Sequence, residues 1–199
     1  MASPEKLKKY QKEKFESYKK INNLKINDNE AYIEIKVKDY NSIISDYSLE
    51  ESPVLKPEFI EVIERRASII PLDYPLVLEI YNATFSSEEK IIVRKLIKNH
   101  FSLITIDKET ELKALKRKEN FFLFIGVFFF LILFLLYDSN VFEGVLEVVL
   151  FISSFSLWEW LEIVIFEHDE LTEQILLNRH LSKIRVVFKK DSWNKENML

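Results

Sequence analysis

The chain has no cysteine and only two glycines in 199 residues, and each shortage removes a class of chemistry. Without cysteine there is no disulfide, no thiolate nucleophile and no cysteine-containing zinc site. The two glycines, Gly126 and Gly144, both fall inside the apolar stretch between residues 120 and 166. A phosphate-cradling loop needs backbone amides that a ligand approaches without a Cβ in the way. Walker A, dinucleotide-fold and nucleophile-elbow patterns are accordingly missing. A net positive charge is lacking as well: 28 Lys and Arg against 32 Asp and Glu leave a formal net charge of -4, which argues against a nucleic-acid partner, whose phosphates need a basic surface. The opening "MASPEKLKKYQKEKFESYKK" holds no apolar core of the signal-peptide kind, so no cleaved leader is expected.

What the chain does have is high apolar content, 48%, beside high charge, 30%. The two are segregated. Charges fill residues 1–120 and 167–199, and apolar residues fill the interval between them. "FFLFIGVFFFLILFLLY", residues 121–137, carries no charge and no proline. At 1.5 Å per residue it spans roughly 25 Å, enough for a hydrocarbon core of about 30 Å once flanking residues join it. Turn formers in "YDSN" then precede a second apolar run ending at Phe166. Both runs are expected to be membrane helices, because only closed hydrogen-bonding structures survive in hydrocarbon. Lys113, Lys116, Arg117 and Lys118 precede the first run, and Arg179, Lys183 and Arg185 follow the second. By the excess of lysine and arginine, both termini are expected on the cytoplasmic side of the cell (inner) membrane.

The second run is unusual in its carboxylates. Projected at 100° per residue, Glu143, Glu147, Ser154, Trp158 and Glu162 fall within roughly a third of the helix circumference, with Glu159 to one side. A carboxylate facing lipid at mid-membrane costs about 2.5 kcal/mol or more, so the stripe is expected to face protein or water. Three arrangements are open. The glutamates can rest at the headgroups while Ser153, Ser154 and Ser156 pack helices. The stripe can be an assembly face towards a second copy or another membrane protein. Or it can line an ion or proton path in an oligomer.

The charged segments alternate strand and helix signals. "AYIEIKVKDY" sets Ile33, Ile35 and Val37 against Glu34, Lys36 and Lys38, the period of a half-buried strand. "KPEFIEVIERRAS" places Pro57 in a first helical turn. "YPLVLEIYN" reads as a second strand, and "KIRVVFKK" as a third. "SSEEKIIVRKLIKNHF" opens a helix with a serine cap and two acidic residues in its first turn. "SLITIDKE" looks strand-like locally, yet a helix running on through "ETELKALKRKE" into the membrane is preferred. The expected fold is therefore an α+β membrane protein: a two-helix transmembrane hairpin carrying a small cytoplasmic α/β domain built from segments on both sides of it. Its expected parts are a basic, flexible tail (1–30), an α/β segment (31–119), the first membrane helix (120–137) and an outward turn (138–140). The second membrane helix (141–166), a helix exit with the final strand (167–190) and a flexible tail (191–199) complete it.

Taken in order, "LKPEFIEVIE", "IPLDYPLVLEI", the basic stretch, the apolar hairpin, Trp158 and "LEIVIFEHD" resemble a family of small prokaryotic membrane proteins of unassigned activity. The likeness covers roughly residues 31–190. It implies a cytoplasmic α/β piece on two membrane helices and draws attention to Trp158 and Glu162. It implies no reaction. The chain departs from the family pattern at Glu159 and at His168.

Candidate chemistry is thin. "FEHDELTEQ" crowds Glu167, His168, Asp169, Glu170 and Glu173 where the helix leaves the membrane, and Glu167, His168 and Glu170 are the best candidates for a hard metal ion. Consecutive helical residues point in different directions, however, and a solvated acidic helix exit explains the run as well. No cofactor and no enzyme activity are expected. The partners expected are the lipid bilayer and either a second copy or another membrane protein. The function expected is a membrane-anchored interaction or regulatory module, with an ion- or proton-conducting component as the alternative.

Overall fold

The computed structural model describes residues 25–27, 29–49, 51–81, 85–136 and 143–189. The expected outward turn at 138–140 and the two tails over 1–24 and 191–199 lie outside them. The chain is α+β and divides into two compact units, one over Ile106–Ile175 and one built from chain on both sides of it.

The second of these units contains a four-stranded mixed sheet in the order β1-β2-β3-β4. β1 (Lys25–Asn27) runs antiparallel to β2 (Glu30–Lys36), and the chain reverses between them through Asn29, whose φ of 66° asparagine tolerates. β2, β3 (Leu76–Tyr81) and β4 (Arg185–Lys189) are parallel, with Ile33 beside Leu78 and Leu78 beside Val186. Parallel neighbours need crossovers. Helix α1 (Pro57–Ala67) makes the first, and everything from residue 85 to 184 lies in the second. The three expected strands are all present. β1 is an addition, and it falls within the segment read as a tail.

Alternation in β2 buries Ala31 and Ile33 on one face. Leu76, Leu78 and Ile80 of β3 join them, and the helices supply Phe59, Ile60, Ile63, Val93, Ile97, Phe101 and Leu181. The result is one core on one face of the sheet. Pro57 occupies the first helical turn of α1, where its missing N–H costs nothing, and Arg65 and Arg66 close the last turn against the helix dipole.

Helix α2 (Ser87–Leu136) is 50 residues long and unbroken. Its start is a capping box: the Glu89 amide donates to Ser86 Oγ (3.1 Å) and the Ser86 amide donates to Glu89 Oε2 (2.7 Å). Residues 100–107 are helical, so the local strand signal of "SLITIDKE" loses to the helix that continues on either side. α3 (Glu143–Glu162) follows, then a π turn (Ile163–Glu167), then α4 (His168–Leu181). In the π turn the His168 amide donates to the Ile163 carbonyl, five residues back, where an α-helix reaches only four. α2, and the continuous helical run Glu143–Leu181, are each long and apolar enough to cross a membrane.

Candidate functional site

The two apolar helices meet through small residues within the Ile106–Ile175 unit. Ser153 Oγ donates to the Gly126 carbonyl at 2.9 Å. A Cβ on Gly126 would stand 2.7 Å from Leu157 Cγ, so glycine is what allows this approach. Val149, Ser153 and Ser156 of α3 are buried, as is Ile163. By helical projection these four residues occupy an arc centred about half a turn from the acidic stripe. Glu143, Glu147, Ser154 and Glu162 are all exposed, and Trp158 is 65% exposed. The packing of α3 on α2 thus turns the whole stripe outward. Ser153 and Ser156 pack as the sequence suggested; Ser154 does not. Glu159 stands half-buried between the arcs, and the buried Trp160 Nε1 finds no hydrogen-bond partner among the described residues.

At the end of the hairpin where the charges resume, Lys118 Nζ lies 3.8 Å from Glu167 Oε1 and over the Phe122 ring. Of the metal candidates, then, Glu167 faces a lysine. Glu170 accepts from Gln174 Nε2 at 3.2 Å, and the His168 carbonyl accepts from Thr172 Oγ1. No group of three metal-ligating side chains forms among the described residues. Lys113, Lys116 and Arg117 are exposed on α2, Arg179 on α4 and Lys183 just after it, while Arg185 pairs with Glu30 across the sheet.

The α/β unit holds a second polar assembly that pattern reading did not find. On the sheet face away from the core, Glu34 and Glu79 stand side by side on β2 and β3. Glu79 is only 4% exposed. Its Oε1 is 2.6 Å from Lys189 Nζ, and its Oε2 accepts from the Tyr81 hydroxyl at 2.7 Å. The same hydroxyl is 3.1 Å from Glu34 Oε1, which also meets Lys25 Nζ at 2.7 Å. Two adjacent carboxylates would repel. A cation from each outer strand and a shared phenol hold them together. Burial, and then the carboxylates that accept from it, push the Tyr81 hydroxyl well above its usual pKa. The assembly ties both outer strands to the sheet centre, and its pairwise saturation reads as structural. Lys189 lies far from Glu79 in sequence and Lys25 reaches Glu34 across a strand pairing, so the sheet register unites them.

Two histidines are half-buried in this unit. His180 Nε2 is 2.9 Å from the Tyr74 carbonyl. A carbonyl only accepts, so Nε2 carries the proton, and the buried Nδ1 remains without a partner among the described residues. Burial is the leading cause that lowers the pKa of both His180 and His100. The native state therefore takes up these protons later than the unfolded chain, whose histidines titrate near 6.5. Their contribution to stability is complete above that value and is lost as the pH falls through the depressed native values. The melting temperature of the α/β unit should drop between pH 7 and pH 5. His100→Asn/His180→Asn should flatten that drop, and an unchanged slope would assign it to other groups.

No family model, curated protein or solved structure matches this chain.

Proposed function

We propose that this protein is embedded in the cell membrane through the apolar part of α2 and through α3, with both termini cytoplasmic, and that it acts as an interaction or regulatory module. It assembles laterally through the outward arc of α3. The observation that carries this reading is the placement of Glu143, Glu147, Ser154, Trp158 and Glu162 on the face opposite the intramolecular contact. In a bilayer that face meets lipid unless another protein covers it. Each mid-membrane carboxylate left in lipid costs about 2.5 kcal/mol or more, and the basic residues near the apolar runs stand outside them.

Measuring the molar mass of the protein in nanodiscs tests the reading. Wild type should give a defined oligomer, and Glu147→Leu/Glu162→Leu, which suits lipid better, should give a smaller one. An unchanged mass would rule out self-assembly through this face. Ion flux in liposomes, lost in Glu147→Gln/Glu162→Gln, would favour the conducting alternative instead.

A further inference from the structure

The first part of α2 carries two apolar faces. Val93, Ile97 and Phe101, all 0% exposed, point into the core, and Thr105 follows them at 8%. On the other side lie Ile92, Leu96, Asn99, Leu103, Ile106 and Thr110, turned about 160° away by helical projection. Their spacing alternates four and three residues, the repeat of a coiled-coil seam. Ile92 is 37% exposed, Leu103 60% and Ile106 58%; Asn99 and Thr110 are exposed, and Leu96 is half-buried. Leu96 also packs against the edge of the core, while Ile92, Asn99, Leu103, Ile106 and Thr110 stay exposed among the described residues.

We propose that a second copy of this chain covers the seam, so that residues 92–110 of two α2 helices form a parallel, in-register coiled coil. The polar positions select both occupant and direction. In register, Asn99 meets Asn99, and each amide offers the other a donor and an acceptor. Thr110 likewise meets Thr110. An antiparallel pair centred on the same seam would set Asn99 against Leu103 and Ile92 against Thr110, matching polar to apolar each time. An apolar partner helix would leave the Asn99 amide unpaired, at the cost of a desolvated polar group. The flanks are compatible: Lys95 faces His100 of the other copy, Ser102 faces Asp107 and Glu109 faces Ala114. Lys113 and Arg117 continue the same spacing and would meet their own copies, so the seam ends at Thr110. The helix is already folded, so pairing over about 28 Å carries no nucleation cost. The seam is on a different helix from the acidic arc, and the two contacts stand or fall separately.

The absence of native cysteine makes the test clean. Ile92→Cys and Ile106→Cys are prepared as separate single variants of the full chain, with Lys98→Cys, exposed outside the seam, as the control. Under mild oxidation both seam variants should yield covalent dimer about tenfold faster than the control, since only a/d positions of a parallel pair bring Cβ atoms within disulfide reach. Rates equal to the control would overturn the proposal. So would crosslinking that requires mixing Leu96→Cys with Ile106→Cys, the signature of the antiparallel pair. Leu103→Glu should also reduce the molar mass in detergent without altering the circular dichroism, because the site is exposed in the single chain. The same crosslinking in Glu147→Leu/Glu162→Leu should proceed at the wild-type rate.

Discussion

Gly126→Leu should pry the two apolar helices apart. A Cβ there meets more than a flexible chain end: Leu157 Cγ stands at 2.7 Å, Leu157 Cδ2 at 2.8 Å and the Leu157 backbone nitrogen at 3.2 Å. Rotating Leu157 clears the first two contacts and not the third, so one helix must retreat. That retreat lengthens the bond from Ser153 Oγ to the Gly126 carbonyl. Forced overpacking costs about 1–3 kcal/mol, and an interhelical hydrogen bond between apolar helices contributes about 0.6 kcal/mol more. The small-residue contact is the attachment of α3 to α2 that the described residues show at this level. In mild detergent, energy transfer between labels on the two helices should fall, and the variant should unfold at a lower denaturant fraction than wild type. Ser153→Ala should show only the hydrogen-bond part of the loss. If Gly126→Leu unfolds at the wild-type midpoint, the close approach is not what holds the hairpin. The variant also bears on assembly. Once α3 is free to rotate, the acidic arc is no longer fixed opposite the packing face, and any oligomer built on that arc should become heterogeneous.

Much of this architecture is written locally in the sequence. The Ser86–Glu89 capping box, Pro57 in the first turn of α1, the alternation in β2 and the two apolar runs each depend on residues a few positions apart. Those signals report themselves in any window. What stayed hidden depends on pairing across the sheet and between helices, near or far in sequence. Lys25–Asn27 is three residues in a lysine-rich stretch and becomes a strand only because β2 offers it a ladder. Glu79 looks misplaced in an otherwise apolar strand until Lys189 and Tyr81 are brought to it. The seam on α2 was obscured for a different reason. Two apolar periodicities share one helix, 93-97-101 for the core and 92-96-103-106 for the second face, so neither stripe stands out alone. The outward turning of the acidic stripe had a legible half, the common arc of Glu143, Glu147, Ser154, Trp158 and Glu162. Its other half, that Ser153, Ser156 and Gly126 face each other on the far side, needed the helix contact itself.

Phe101→Ala should be the most damaging single truncation in the α/β unit, and Leu103→Ala, two residues on, should barely register. The contrast follows from the helix through residues 100–107. In a strand, positions 101 and 103 would share a face, and their truncations would cost alike. In a helix they are about 200° apart, which puts Phe101 in the core at 0% exposure and leaves Leu103 at 60%. Deleting a buried phenylalanine removes its transfer free energy and leaves a cavity, about 3–5 kcal/mol together. An exposed leucine changes folding stability by about 0.5 kcal/mol or less. A domain of this size holds about 5–15 kcal/mol in all, so Phe101→Ala should bring much of the unit near its unfolding threshold. Urea denaturation followed by circular dichroism measures both variants on one scale. Equal losses would return residues 100–107 to the strand reading and dissolve the seam with it. A large loss at Phe101 and none at Leu103 leaves Leu103 with no role in the folded single chain. Its apolar side chain is then free to meet the second copy of α2.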